Sequence, residues 1–228
     1  MCVMKGVNCI LTGQYQLVLQ DQYDPRSGQL IKKEIIPTKN LVEELTSYML
    51  CIKNQTEYGN FIKWYEREIR KIIKEHPEQH FIIKISFQQL YFRETMLLLE
   101  NLKAFSKQIT IELMGDSQIS ASERAHFSAD DSDAFLKGRL KMLKKWHYFI
   151  SKHIETGAME QTLIFTPYID ELKYSLKKES KLLDNQTELA FFLSFWKSWA
   201  KLRCVHFVVI VDEVSTNFPE EVNIRCEM

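Results

Sequence analysis

Apolar residues recur along this chain in two rhythms. Short β-branched runs occur at Phe81–Leu90 (FIIKISFQQL), Ile109–Leu113 (ITIEL) and Val205–Val211 (VHFVVIV). Such runs suit strands buried on both faces of a parallel sheet. Between them the period changes to that of a helix. In Tyr58–Glu75 the residues Phe61, Ile62, Tyr65, Ile69, Ile72 and Ile73 fall on one helical face, and Pro77 ends the segment. Lys39–Leu50, Gln88–Ser106 with its TMLLLENL centre, and Phe135–Trp146 read as further helices. A last helix starts at Asn185, with Glu188 at a capping-box spacing, and runs to about Arg203. Its stripe of Phe191, Phe192, Phe195, Trp196 and Trp199 reads as core, wide enough for part of it to meet a partner. Helix and strand alternating at this rhythm predict βα units around a parallel sheet.

The remaining segments fill in that series. Gln14–Leu19 and Gln29–Ile36 are strand candidates joined by the turn chemistry of Asp24-Pro25-Arg26-Ser27-Gly28. Residues 115–133 form a polar stretch, and Asp130, Asp131 and Asp133 at its end read as a helix cap rather than a metal cluster. His147–Lys152 and Asp170–Ser175 read as strands, while Thr162–Pro167 admits helix or strand. Trp64 and Tyr91 read as core, and the basic side of Phe135–Trp146 as a solvated face.

Charge sharpens the picture. Lys84 and Glu112 each stand near the C-terminal end of an apolar strand, where an unpaired charge is costly to bury. A (β/α) barrel resolves that cost, because its strand ends open onto one polar face. The 228 residues suit a single domain, and no repeat or linker divides them. Thirty basic and thirty acidic residues cancel, so no strong nucleic-acid signal is present. Five scattered cysteines without CxxC or CxxxH spacing read as reduced thiols in a cytoplasm. No apolar run of ~20 residues exists, so no membrane span is expected, and the first residues do not form a signal peptide.

Several of these segments, in order, resemble the EAL domains of the cyclic-di-GMP phosphodiesterase family. Tyr15-Gln16-Leu17-Val18, Ser27-Gly28 and Glu34-Ile35-Ile36 are similar to the opening YQPIVDLxTGxIVGxEAL. FIIKISFQQL resembles the family's VNLSPQQL segment. Thr156-Gly157 stands where DDFGTG ends, with Lys152 and His153 in place of the two aspartates. Asp170–Ser175 resembles the DxLKID strand, keeping Lys173 and ending in Ser175. Asp212-Glu213-Val214-Ser215-Thr216 resembles AEGVET, and the terminal QGY segment and last helix have no counterpart before Met228. The resemblance implies one EAL-like domain over 1–228, a TIM-like (β/α) barrel modified and shortened at its C-terminus. An unrelated α/β fold is the other reading.

The resemblance also implies a site. Glu34, Glu112, Lys173 and Asp212 occupy matching positions, whereas Lys84 replaces an asparagine ligand and Lys152 an aspartate. Thr38 stands where an arginine that grips nucleotide phosphate is expected. Taken alone, Glu34 is an ordinary strand-end charge and His153 an ordinary loop histidine. A two-metal site must offset about four positive charges with carboxylates and neutral oxygens. Here Glu34, Glu112 and Asp212 meet Lys84, Lys152 and Lys173, so metal gains no net attraction. The expectation is a catalytically inactive regulatory domain with no cofactor, acting on an unidentified protein partner. The alternative is a cyclic-di-GMP phosphodiesterase or receptor that uses magnesium or manganese.

Overall fold

The computed structural model describes residues 10–12, 15–24, 27–39, 43–44, 55–114, 129–154, 165–175, 186–211 and 223–227. An antiparallel hairpin opens the sheet. Strand β1 (Ile10–Thr12) pairs with β2 (Tyr15–Tyr23), and β2 pairs along its length with β3 (Leu30–Lys39). The connection turns at Gly28, whose φ of 67° is the left-handed region open to glycine. The Gly28 N–H donates to the Asp24 carbonyl at 2.8 Å, and Ser27 Oγ donates to the Asp24 carboxylate at 2.8 Å.

The predicted parallel series follows. Helix α1 (Gln55–Glu75) leads to β5 (Phe81–Ser86), and α2 (Arg93–Leu102) to β6 (Ile109–Met114). Helix α3 (Ala129–Lys145) precedes β7 (Phe149–His153), which is followed by β8 (Glu171–Ser175). Helix α4 (Gln186–Leu202) leads to β9 (His206–Val211) and β10 (Asn223–Glu227). The short β4 (Glu43–Glu44) pairs with the end of β3.

Strands β3, β5, β6, β7, β8, β9 and β10 pair in that order, each parallel to the next. Strand β2 is antiparallel to β3 and also to β10, through Tyr23 and Gln22 opposite Cys226 and Glu227. The result is a mixed α/β fold on a strongly curled sheet. Burial of the β5 residues Phe81, Ile82, Ile83 and Ile85 explains why that run is apolar on both faces.

The helical period also keeps its promise. Phe61, Ile62, Tyr65, Ile69, Ile72 and Ile73 of α1 are all buried. Full burial of each such side chain contributes roughly 1.5–3 kcal/mol, so this face holds the helix in place. Glu57 in the first turn and Lys74 in the last complement the helix dipole. Trp64 is half-buried against the core with Tyr15, their rings 5.3 Å apart, and Tyr91 stacks on Phe135 at 5.1 Å.

At the N-terminal end of the parallel strands, Asp170 joins three elements. Both of its carboxylate oxygens accept from Lys144 Nζ of α3 at 2.6 Å, and one accepts the Ile150 N–H of β7 at 2.8 Å. Its own backbone bonds Ile150 on one side and His206 of β9 on the other.

Three expected helices differ. Within Lys39–Leu50, β3 runs through Lys39 and Glu43–Glu44 is a strand, because the edge of β3 pairs with it; residues 40–42 and 45–50 lie outside the described residues. Gln88–Ser106 is not one helix. A 3-10 turn at Gln88–Tyr91 ends at Phe92, whose ψ of 132° is extended, and α2 starts after it. A second 3-10 segment, Lys103–Gln108, follows α2. The helix expected from Phe135 begins at Ala129, so Asp130, Asp131 and Asp133 belong to its first turns. Thr166–Tyr168 forms a 3-10 turn, and β10 was without a signal in the apolar pattern.

Candidate functional site

Parallel register brings the strand-end charges side by side. Lys84 of β5 is the register partner of Glu112 of β6, and Glu112 of Ser151 on β7. His153 of β7 aligns with Lys173 of β8. Because successive side chains on a strand alternate in direction, residues at matched parity face one side of the curled sheet.

Two lysines and two glutamates form the centre. Lys84 Nζ lies 2.5 Å from Glu34 Oε1, and Lys173 Nζ donates to Glu112 Oε2. All four are largely withdrawn from solvent, Glu34 completely. A unit-charge pair 4 Å apart gains roughly 4 kcal/mol at an effective dielectric near 20, and burial of the charges offsets much of that. Such pairs hold their partners in place more than they stabilise the fold. Burial alone would raise the Glu112 carboxyl, but Lys173 and then Lys84 outweigh it, with the Lys173 hydrogen bond and His153 adding to them. The net effect holds Glu112 far below the ordinary carboxylate range, at about 2. The Tyr65 hydroxyl donates to the Ile35 carbonyl at 3.2 Å, and burial with the field of Glu34 pushes its pKa well up.

Lys84, Glu112, Met114, His153, Lys173, Ser175 and Ile210 line a narrow cavity of about 20 Å³. That is room for a molecule the size of water, whereas small-molecule pockets run to roughly 300–1,000 Å³.

The expected site residues are therefore placed unequally. Glu34, Lys84, Glu112, Lys173 and His153 come together. His153 belongs to no loop: it is the buried last residue of β7, because that strand extends one residue past the expected end. Lys152, its neighbour, points to the other side of β7 by alternation, and its Nζ lies 5.2 Å from the Phe87 ring centre. Thr38 is buried on β3, four positions beyond Glu34, and pairs with Gln16 and Glu44. Asp212 lies outside the described residues. Met114 and Ile210 were missed, since an apolar lining position on a strand carries no signal distinct from core. Among the described residues, no three of His, Cys, Asp and Glu are grouped to hold a metal ion, and no helix is long and apolar enough to cross a membrane.

Solved structures share the fold. An EAL domain protein from Listeria monocytogenes EGD-e matches with a TM-score of 0.62 at 13% identity, over 93% of this chain and 86% of that one. BlrP1 of Klebsiella pneumoniae, in a manganese and cyclic-di-GMP complex, matches with a TM-score of 0.63 at 14% identity, over 90% of this chain. The match covers 52% of the Klebsiella chain, about half its length. The PaMucR phosphodiesterase in complex with cyclic-di-GMP matches with a TM-score of 0.63 at 14% identity, over 89% of this chain and 87% of that one. The family model "Transcriptional regulator RcsA, N-terminal dimerisation domain" matches residues 31–125. No curated protein matches. The fold is that of an EAL-like domain.

Proposed function

We propose that this chain is a catalytically inactive EAL-type (β/α) barrel that acts in signalling by binding another macromolecule. One observation carries the reading. The carboxylates at two of the positions where such a fold would hold divalent cations, Glu34 and Glu112, each have a lysine ammonium at their oxygens. A two-metal hydrolase needs those oxygens for cations that activate water. Among the described residues, two ammonium groups against these two carboxylates leave no net negative charge, a donor set that does not fit a metal pair. The cavity lined by Lys84, Glu112 and Lys173, about 20 Å³, is also far too small for a dinucleotide. The likeness of residues 31–125 to a dimerisation domain supports function through protein contacts.

The second reading is a cyclic-di-GMP receptor or phosphodiesterase. The gathering of Glu34, Glu112 and Lys173 at one end of the sheet favours it. Calorimetric titration of the full chain with cyclic-di-GMP, alone and with magnesium or manganese, separates the two. The binding-protein reading expects no heat in any arm. Metal-dependent binding would support the phosphodiesterase, and binding without metal the receptor.

A further inference from the structure

Helix α1 turns its apolar side chains to the core and a row of cations the other way. Lys63, Arg67, Lys71 and Lys74 are all exposed. They follow one another by four, four and three residues, a spacing that keeps them on one line opposite the buried face. At a rise of about 1.5 Å per residue, successive charges stand roughly 6 Å apart along the axis. The neighbouring acids are already engaged. Glu66 accepts from Arg70 Nε at 3.0 Å and from Asn101 Nδ2 at 2.9 Å, and the buried Glu68 accepts from Arg67 Nε at 2.9 Å. Among the described residues, no carboxylate forms an ion pair with Lys63, Lys71 or Lys74. The row borders an open trough of about 610 Å³, lined by five cations and two carboxylates. Like charges at a four-residue spacing repel and weaken a helix, and the dipole favours cations only in its last turn. Neither effect explains Lys63 or Arg67, and a merely solvated helix face alternates its signs.

We propose that this row docks an acidic helix of a partner protein, one whose carboxylates recur every four residues. The inference rests on the reading of this chain as a binding protein. The cyclic-di-GMP titration decides that reading separately, because no cation of this row touches the charged cluster. Carboxylates at that spacing also stand roughly 6 Å apart, so the two helices meet charge for charge. Antiparallel docking opposes the two helix dipoles as well. Nucleic acid fits less well. Thirty basic and thirty acidic residues cancel over the whole chain, so no broad field draws in a polyanion that carries a charge every ~1.7 Å. A second copy of the chain presents the same cations, and this face repels itself.

Fluorescence anisotropy of the full chain with a labelled Glu-Ala-Ala-Ala repeat peptide, helical through its alanines, tests the docking. A scrambled peptide of the same composition and a DNA duplex are the other probes. The repeat peptide should bind more tightly than either, and less tightly as salt is raised. Lys63→Gln/Lys71→Gln should weaken it by about tenfold, the effect of losing two exposed ion pairs. Lys141→Gln/Lys145→Gln removes the same charge from exposed positions of α3 and should change binding by less than about twofold. Thermal melts add a second readout: Lys63→Gln/Lys71→Gln should melt at or above the wild-type temperature, because it relieves repulsion within the row. No binding of the repeat peptide overturns the proposal, as does equal weakening by the two double variants. A scrambled peptide that binds as well overturns the helical partner, and tighter binding of the duplex assigns the row to nucleic acid instead.

Discussion

The ammonium of Lys84 sits 2.5 Å from Glu34 Oε1, and Glu34 is completely buried. Lys84 is also the register neighbour of Glu112, which has its own ammonium from Lys173. The four side chains form a closed exchange of charge, and removing one leaves another buried and uncompensated.

Lys84→Met should therefore destabilise the fold by about 3–5 kcal/mol, the usual cost of stranding a buried charge. The double change Lys84→Met/Glu34→Gln should recover most of that loss. Urea denaturation of the three proteins reads both effects. A single variant within 1 kcal/mol of wild type would mean that solvent reaches Glu34 (~1 kcal/mol is the scale of an exposed pair).

Stability should fall with acid in a window that Glu112 sets. Its pKa drops from an ordinary 4.5 to about 2 on folding, so the unfolded chain binds the proton more tightly. The stabilisation is complete above pH 4.5 and is lost as pH falls toward about 2. Glu112→Gln/Lys173→Met removes both partners and should flatten that part of the profile. Denaturation midpoints between pH 5 and pH 2 check it (these bracket the window, about half a unit above the ordinary value). An unchanged slope would place the acid sensitivity on other carboxylates.

Asp170 should matter for folding and not for the charged cluster. Asp170→Ala strands the Ile150 N–H and the Lys144 ammonium, at a cost of about 2–3 kcal/mol. Asp170→Asn keeps an acceptor for the Ile150 N–H and should recover about half. Thermal melts distinguish the two, and equal losses would show that charge alone is at work.

How much of this was legible in sequence follows from what each residue's signal depends on. The buried face of α1 is read directly, because six apolar positions on a 3.6-residue period have no other use. Lys84 and Glu112 are legible for the opposite reason: charge inside an apolar strand demands a partner, and parallel register supplies it. Lys152 and His153 show where this fails. Strand alternation has a period of two, so a strand end uncertain by one residue leaves open which neighbour faces the cavity. The structure gives that place to His153 and turns Lys152 toward Phe87. Strand β10 depends on pairing with β2 and β9, which no local pattern in Asn223–Glu227 announces. The single helix expected over Gln88–Ser106 breaks at Phe92, whose extended backbone separates a 3-10 turn from α2.

The central claim is that ammonium groups stand where catalysis would need cations. Its most direct test is hydrolysis of cyclic-di-GMP by purified full chain, with magnesium or manganese, beside a Glu34→Ala control. A chain whose carboxylates are neutralised by Lys84 and Lys173 should release linear dinucleotide no faster than the control. Turnover above the Glu34→Ala control, with either metal, would contradict the account.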